Sequence, residues 1–262
     1  MPLVAAAALP HTPQLLVRPD TEDRRLVLRV HAAYAEVKAG LAEACPDVIA
    51  VIGGDHIEGF FLNAVPALAV FVGAEVSGTF DRYRYTFSVH EPLARAIVEQ
   101  GIEGGFDLAY SQDVVLDYAF YVPLHFAMPD PPTPIVPLYV NVYLPPQPTP
   151  RRCYAWGQAL RAIFDARPER VALLASGGLS HYPGTDRYGS PDYEWDRQLL
   201  AVLAEGRGGQ TASLTSDELD KAGNVELRTW ITLLGALGDA RARVICYEPS
   251  WHHGNAVVTW PV

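Results

Sequence analysis

The chain has 262 residues, 49% of them hydrophobic and 19% charged, with a formal net charge of -10. That composition excludes a disordered chain and suits a core of one-domain size. An acidic chain with no cluster of Lys and Arg excludes a nucleic-acid surface. Three cysteines, Cys45, Cys153 and Cys246, stand without CxxC spacing; they are expected as reduced thiols of a cytoplasmic protein. The alanine-rich start, residues 1–10, lacks a basic leader, and its short apolar run ends at Pro10-His11. It is expected as a buried first strand rather than a signal peptide. No run reaches the roughly 20 apolar residues of a membrane helix.

Strand-like and helical patterns alternate along the chain. Residues 4–9 predict a strand and 25–44 an amphipathic helix. Residues 48–52 form a β-branched run between Pro46-Asp47 and Gly53-Gly54, the pattern of a buried strand entering a loop. A further strand is expected at 67–72, then a helix over 91–100 capped at Gly101. Residues 135–143 predict a strand, which Pro137 assigns to an edge or a bulge. A helix at 151–166 and a strand at 171–175 follow, then helices at 193–205 and 225–237, and late strands at 244–247 and 256–258. The proline-rich stretches 129–137 and 145–150 read as loops, and 206–216 as a polar connection. The alternation predicts an α/β fold: a single three-layer domain over 1–262, with a mixed, mostly parallel central sheet flanked by helices.

In open α/β sheets, chemistry sits beyond the carboxyl ends of strands. His11, His56 and His181 all fall there, the last two after a strand and a glycine pair. Glu226 lies at the start of a predicted helix, where the dipole favours a carboxylate that can face a cation. Two neutral imidazoles and one carboxylate make the facial site that suits non-heme Fe(II) and leaves coordination positions open on one side. Each residue taken alone has a plainer reading: a hydrogen-bonded loop histidine, a first-turn helix acid, a glycine turn. His31 and His125 are given no role, and His90 is expected to be structural at a helix start. The adjacent pair His252-His253 points apart in extended chain and is expected near a pocket rather than on one ion. A serine hydrolase built on Ser176 or Ser180 with His181 lacks the GxSxG elbow.

Four short motifs, in order along nearly the whole chain, resemble those of the class III extradiol ring-cleavage dioxygenases, the LigB-like superfamily. Pro10-His11-Thr12-Pro13 is similar to the family's first metal histidine segment, with proline in place of its serine. Asp55-His56-Ile57-Glu58-Gly59-Phe60-Phe61 resembles its DHxxxF, Glu226-Leu227-Arg228-Thr229-Trp230 its ExxxW, and the run ending Ser180-His181 its GGLSH. The resemblance implies Fe(II) held by His11, His56 and Glu226, with His181 as acid/base. It implies a catecholic or aminophenolic substrate opened with O2 to a semialdehyde. Where catechol-cleaving members often carry a histidine, this chain has Tyr118, a feature similar to aminophenol-cleaving relatives. Tyr118 is expected to orient substrate or oxygen without carrying protons. Asp55 is expected to steady the ligands from behind, and Trp251, His252 and His253 to line the pocket mouth. A homodimer, or a hetero-oligomer with a small accessory subunit, is expected. The alternatives are a zinc-binding hydrolase-like enzyme and a non-enzymatic partner-binding protein on the same fold.

Overall fold

The computed structural model describes residues 2–60 and 62–262; Met1 and Phe61, which the motif readings touch, lie outside them. The elements in order are β1 (Leu3–Leu9), α1 (Gln14–Val17), α2 (Arg24–Ala44), β2 (Val48–Gly53), β3 (Leu68–Phe71), β4 (Glu75–Phe80), β5 (Tyr83–Ser88), α3 (Glu91–Glu103), β6 (Ala109–Ser111) and α4 (Tyr118–Ala127). They continue with β7 (Ile135–Val140), α5 (Pro150–Asp165), β8 (Val171–Ser176), α6 (Tyr193–Ala204), a 3-10 turn at Gly208–Ser213, α7 (Ser216–Ala222), α8 (Leu227–Leu237), β9 (Arg243–Ser250) and β10 (His253–Trp260).

Eight strands form one sheet in the order β6-β3-β7-β2-β8-β1-β10-β9. Its centre, β7-β2-β8-β1, is parallel throughout. The flanks are mixed, with β3 antiparallel to β7 and β10 antiparallel to β1. Strands β2, β7 and β8 are buried along their whole length. Continuous apolar runs such as Val48–Ile52 are what a strand covered on both faces requires. Helices α2 and α4 pack together on one side, and α3, α5 and α8 on the other.

Two expectations are corrected. Pro137 sits in an interior strand, not at an edge: β7 has β2 on one side and β3 on the other. The ladder to β3 covers only Leu138–Val140, so Pro137 lies beyond it, where its missing N–H costs no bond on that side. Helix α3 runs past Gly101 to Glu103 and is capped at Gly104. Gly101 serves packing instead: a Cβ there would come 2.5 Å from Leu108 and 3.2 Å from Trp156. The β4–β5 hairpin, α4 and α7 were not foreseen. The hairpin carries aromatic residues on alternate positions, and α4 holds Pro123 inside it, which hides its helical pattern.

The crossing of α5 and α8 depends on two glycines. A Cβ on Gly157 would lie 1.8 Å from the Thr232 carbonyl oxygen, and one on Gly235 2.0 Å from that of Tyr154. With no side chains there, the backbones touch and α8 is driven into the core. Even Arg228 on this helix is fully buried, donating to the Pro148 and Val225 carbonyls and the Ser216 hydroxyl. The first turn of α8 is tied to the end of β8: the Thr229 hydroxyl donates to the Ser176 carbonyl and the Trp230 indole to that of Gly177.

Candidate metal centre

Four adjacent parallel strands end on one edge, and each releases a functional segment there. His11 follows β1, His56 follows β2, Tyr143 follows β7, and the loop of Gly178 and His181 follows β8. β10 runs the other way, so its first residue, His253, arrives at the same edge. Glu226 occupies the N-cap position of α8, immediately before the helix. Its carboxylate accepts the Gly178 N–H at 2.5 Å, which joins helix start and strand end.

The three residues named as ligands converge. One donor atom each from His11, His56 and Glu226 lies within 4.8 Å of the others. The Glu226 Oε1 atom is 3.1 Å from His11 Nε2 and 3.7 Å from His56 Nε2. Neighbouring donors about 2.1 Å from a common ion stand about 3 Å apart, so the Glu226 spacings are near those of a divalent cation site and the two imidazoles would draw together to hold one.

Hydrogen bonds present both imidazoles through Nε2. His11 Nδ1 lies 2.9 Å from the Ser176 hydroxyl, whose own proton goes to the Ala119 carbonyl. That oxygen therefore accepts from His11 Nδ1–H and leaves the Nε2 lone pair free. His56 Nδ1 donates to Asp117 Oδ1 at 2.9 Å, and the second Asp117 oxygen accepts the His56 backbone N–H. A ligand histidine held by a carboxylate is oriented and made more basic. Burial would lower the His56 pKa, but the bonds to Asp117 and Glu226 outweigh it and raise it to about 9. Burial would likewise raise the Glu226 carboxyl; His11 and His181 overcome this and hold it well below the usual range.

His181 stands beside the cluster, its Nε2 3.5 Å from Glu226 Oε1. Its Nδ1 donates to the Leu179 carbonyl at 2.8 Å, so a neutral ring turns a basic Nε2 toward the cleft. Burial lowers the His181 pKa, yet the Glu226 charge and hydrogen bond raise it overall. The loop carrying it is anchored by the buried Asp196, which accepts from the Ser180 N–H, the Asn224 amide and the Tyr247 hydroxyl. Tyr118, the first residue of α4, stacks on His56 with centroids 4.0 Å apart. Burial, then the charge of Asp117, pushes its phenol far up, so it stays protonated.

The other predicted residues separate. Asp55 does not reach the ligand rings; its carboxylate accepts N–H groups of its own loop, from Ile57, Gly59 and Phe60. Neighbouring side chains diverge, so Asp55 cannot face the ring of His56, and Asp117 does so from another segment. His253 lines the cleft and stacks on His181 at 4.5 Å. Trp251 is instead packed behind the hairpin end, its indole donating to Thr21, and His252 is exposed beside Tyr188. Both lie outside the cleft because Trp251 and His252 take positive φ, 48° and 59°, at the turn into β10. Sequence reasoning missed Asp117, Ser176 as a partner of His11, and Tyr143. The Tyr143 hydroxyl donates to Glu226 Oε1 and lies 2.9 Å from His56 Nε2. Asp117 directly precedes Tyr118, within the stretch where the notable departure falls; nothing local marks Tyr143.

The cleft encloses about 260 Å³, room for one aromatic ring with small substituents, and Pro13, Ile57 and Pro183 form its rim. The donor set, the basic nitrogen and this open face make a candidate site for one metal ion at the edge of an α/β sheet. Residues 5–258 match the profile described as the catalytic LigB subunit of aromatic ring-opening dioxygenase, and the chain belongs to that family of ring-cleavage dioxygenases. It is 26% identical over 266 residues to 2,3-dihydroxyphenylpropionate/2,3-dihydroxicinnamic acid 1,2-dioxygenase of Rhodococcus globerulus, covering 84% of this chain and 85% of that one. It is 36% identical over 155 residues to gallate dioxygenase of Pseudomonas putida, covering 56% of this chain and 46% of that one. A solved structure of an uncharacterized protein from Escherichia coli superposes with a TM-score of 0.65 at 16% identity, covering 98% and 99% of the two chains. That likeness concerns the fold. No helix among the described residues is long and apolar enough to cross a membrane.

Proposed function

We propose that this chain is an Fe(II)-dependent extradiol dioxygenase that opens the ring of a catechol or a 2-aminophenol with O2 to give a semialdehyde. The observation that carries this reading is the convergence of His11, His56 and Glu226 with a fourth group, His181, held free beside them. A ferrous ion there would bring the ortho heteroatoms of the ring and O2 to one centre and pass electron density between them. The chain's own residues do the rest. His11 and His56 hold their Nε2 atoms in place through Ser176 and Asp117. His181 Nε2 takes the proton from a ring hydroxyl as it binds and returns it to the departing oxygen later. The nearby Glu226 charge stabilises the imidazolium between the two events. Tyr118 stays neutral and donates a hydrogen bond to a substrate oxygen or to O2. His253 supports the His181 ring by stacking. Residues 1–262 act as one catalytic domain in this reading.

Replacing Glu226 by Ala tests it. Protein handled without oxygen should lose bound iron, and substrate-dependent O2 uptake with catechols and aminophenols should vanish. Retained iron together with retained turnover would remove Glu226 from the site. Zinc bound in preference to iron, with hydrolysis and no O2 uptake, would favour the hydrolytic reading of the same donor set.

A further inference from the structure

The substrates in the relatives' names, a dihydroxyphenylpropionate and gallate, carry a carboxylate. The cleft here is not built to receive one. Among the described residues, its lining includes no lysine or arginine, and its one carboxylate is that of Glu226. The remaining polar side chains are four imidazoles, two tyrosine hydroxyls and the Thr12 hydroxyl, which donates to Asn255. Behind His56 lies more negative charge: Asp117 bonds its ring, and Asp55 lies in the same loop. The rim is apolar, made by Pro13, Ile57 and Pro183.

Cations near these segments along the chain, Lys221 and four arginines, lie outside the lining. Arg228, two residues from Glu226, spends its guanidinium on the Pro148 and Val225 carbonyls and the Ser216 hydroxyl. Arg187, near the His181 loop, lies 3.9 Å over the Tyr182 ring and donates to the Lys221 carbonyl. Arg18 and Arg24 line a separate hollow with Trp251. Of the four lining histidines, His11 and His56 are taken up as ligands and His181 as the proton carrier, which leaves His253. Its Nδ1 donates to the Trp251 carbonyl at 2.6 Å, and burial beside His181 holds it neutral, at about 4.

We propose that the substrate is a catechol or aminophenol whose ring substituents are uncharged, because the cleft lining offers an anionic substituent no lysine or arginine and sets the Glu226 carboxylate in the same space, with Asp117 and Asp55 behind His56. This rests on the ring-cleavage reading above. A carboxylate drawn into such a space loses its hydration with no lysine or arginine in exchange, and like charges at close range oppose binding. A methyl ester of the same acid keeps the ring, the hydroxyls and nearly the same shape, so the pair isolates charge.

The test compares 3,4-dihydroxybenzoate with its methyl ester, and gallate with methyl gallate, on Fe(II)-loaded protein. Binding is followed anaerobically by calorimetric titration, and O2 uptake is then measured for kcat/KM. Each ester should bind at least tenfold more tightly than its acid, and kcat/KM should follow. Acids that bind as well as their esters, or better, overturn the proposal and leave the ring-cleavage reading standing. If neither acids nor esters nor catechol itself bind, the ring-cleavage reading fails and this proposal with it. A second variant checks the cause. Ile57 is 43% exposed at the rim, and Ile57→Arg places a cation there. That change should shrink the ester-to-acid ratio toward one. A ratio that the new cation leaves unchanged means that charge is not what selects the substrate.

Discussion

At His56 the two ring nitrogens carry different tasks. Nδ1 is bound to Asp117, and Nε2 faces Glu226. Losing such an orienting partner typically weakens metal affinity 10- to 100-fold. Asp117→Ala should therefore weaken iron binding by about that factor, measured by anaerobic titration; unchanged affinity would show that packing alone orients the ring. Tyr143→Phe should act in the same direction by removing the hydroxyl that donates to Glu226. His181→Ala should separate binding from chemistry. Iron content should hold, because His181 is not among the three convergent ligands, while turnover should fall about 10²- to 10⁴-fold, the usual contribution of a positioned acid/base. Loss of iron with loss of turnover would make His181 a ligand. The residue types His11, His56, Glu226 and His181 were legible because each stands in a distinct short motif. Their partners were not. Asp117 is 61 residues from His56, and Ser176 is 165 from His11. Asp55, the acid adjacent to His56, drew attention that belonged to Asp117.

Among the elements, α8 is the one whose position the site depends on, since Glu226 stands at its start. The contact with α5 admits no side chain at Gly157 or Gly235. Gly235→Ala sets two effects against each other. Helix propensity favours alanine by about 1 kcal/mol. Overpacking against the Tyr154 carbonyl, 2.0 Å from the new Cβ, costs about 1–3 kcal/mol. Packing should prevail, so the urea midpoint should fall, and iron affinity should fall with it as Glu226 moves. A raised midpoint would mean that the two helices separate without strain. Strands were read well from sequence because β2, β7 and β8 carry unbroken apolar runs. Pro137 misled because a proline's effect depends on where a neighbour's ladder stops. The β4–β5 hairpin was missed because its aromatic residues pack on α4 in a small cluster of their own rather than under the main sheet.

For the whole molecule, the ion and the fold are linked. A ligand that binds only the folded chain stabilises it by about 2.7 kcal/mol at a hundredfold excess over Kd. In a chain of this size that corresponds to a rise in Tm of roughly 5–10 °C. Anaerobic Fe(II) should raise Tm by this amount, a chelator should reverse it, and Glu226→Ala should abolish it; a Tm indifferent to the ion in the unaltered chain contradicts a site spanning β1, β2 and α8. The amino-acid sequence alone determined the alternating α/β plan, because buried strands and amphipathic helices leave local patterns of apolar residues. It also marked the strand-end histidines and the helix-start carboxylate, because glycine pairs and short motifs surround them. Only the tertiary structure decided that these residues meet. The order β7-β2-β8-β1 brings four strand ends to one edge, and that order arises from pairing between segments distant in the chain. The same pairing decided which nitrogen each histidine presents and which side chains line the cleft, with no lysine or arginine among the described ones, since both follow from neighbours that no local stretch of sequence contains.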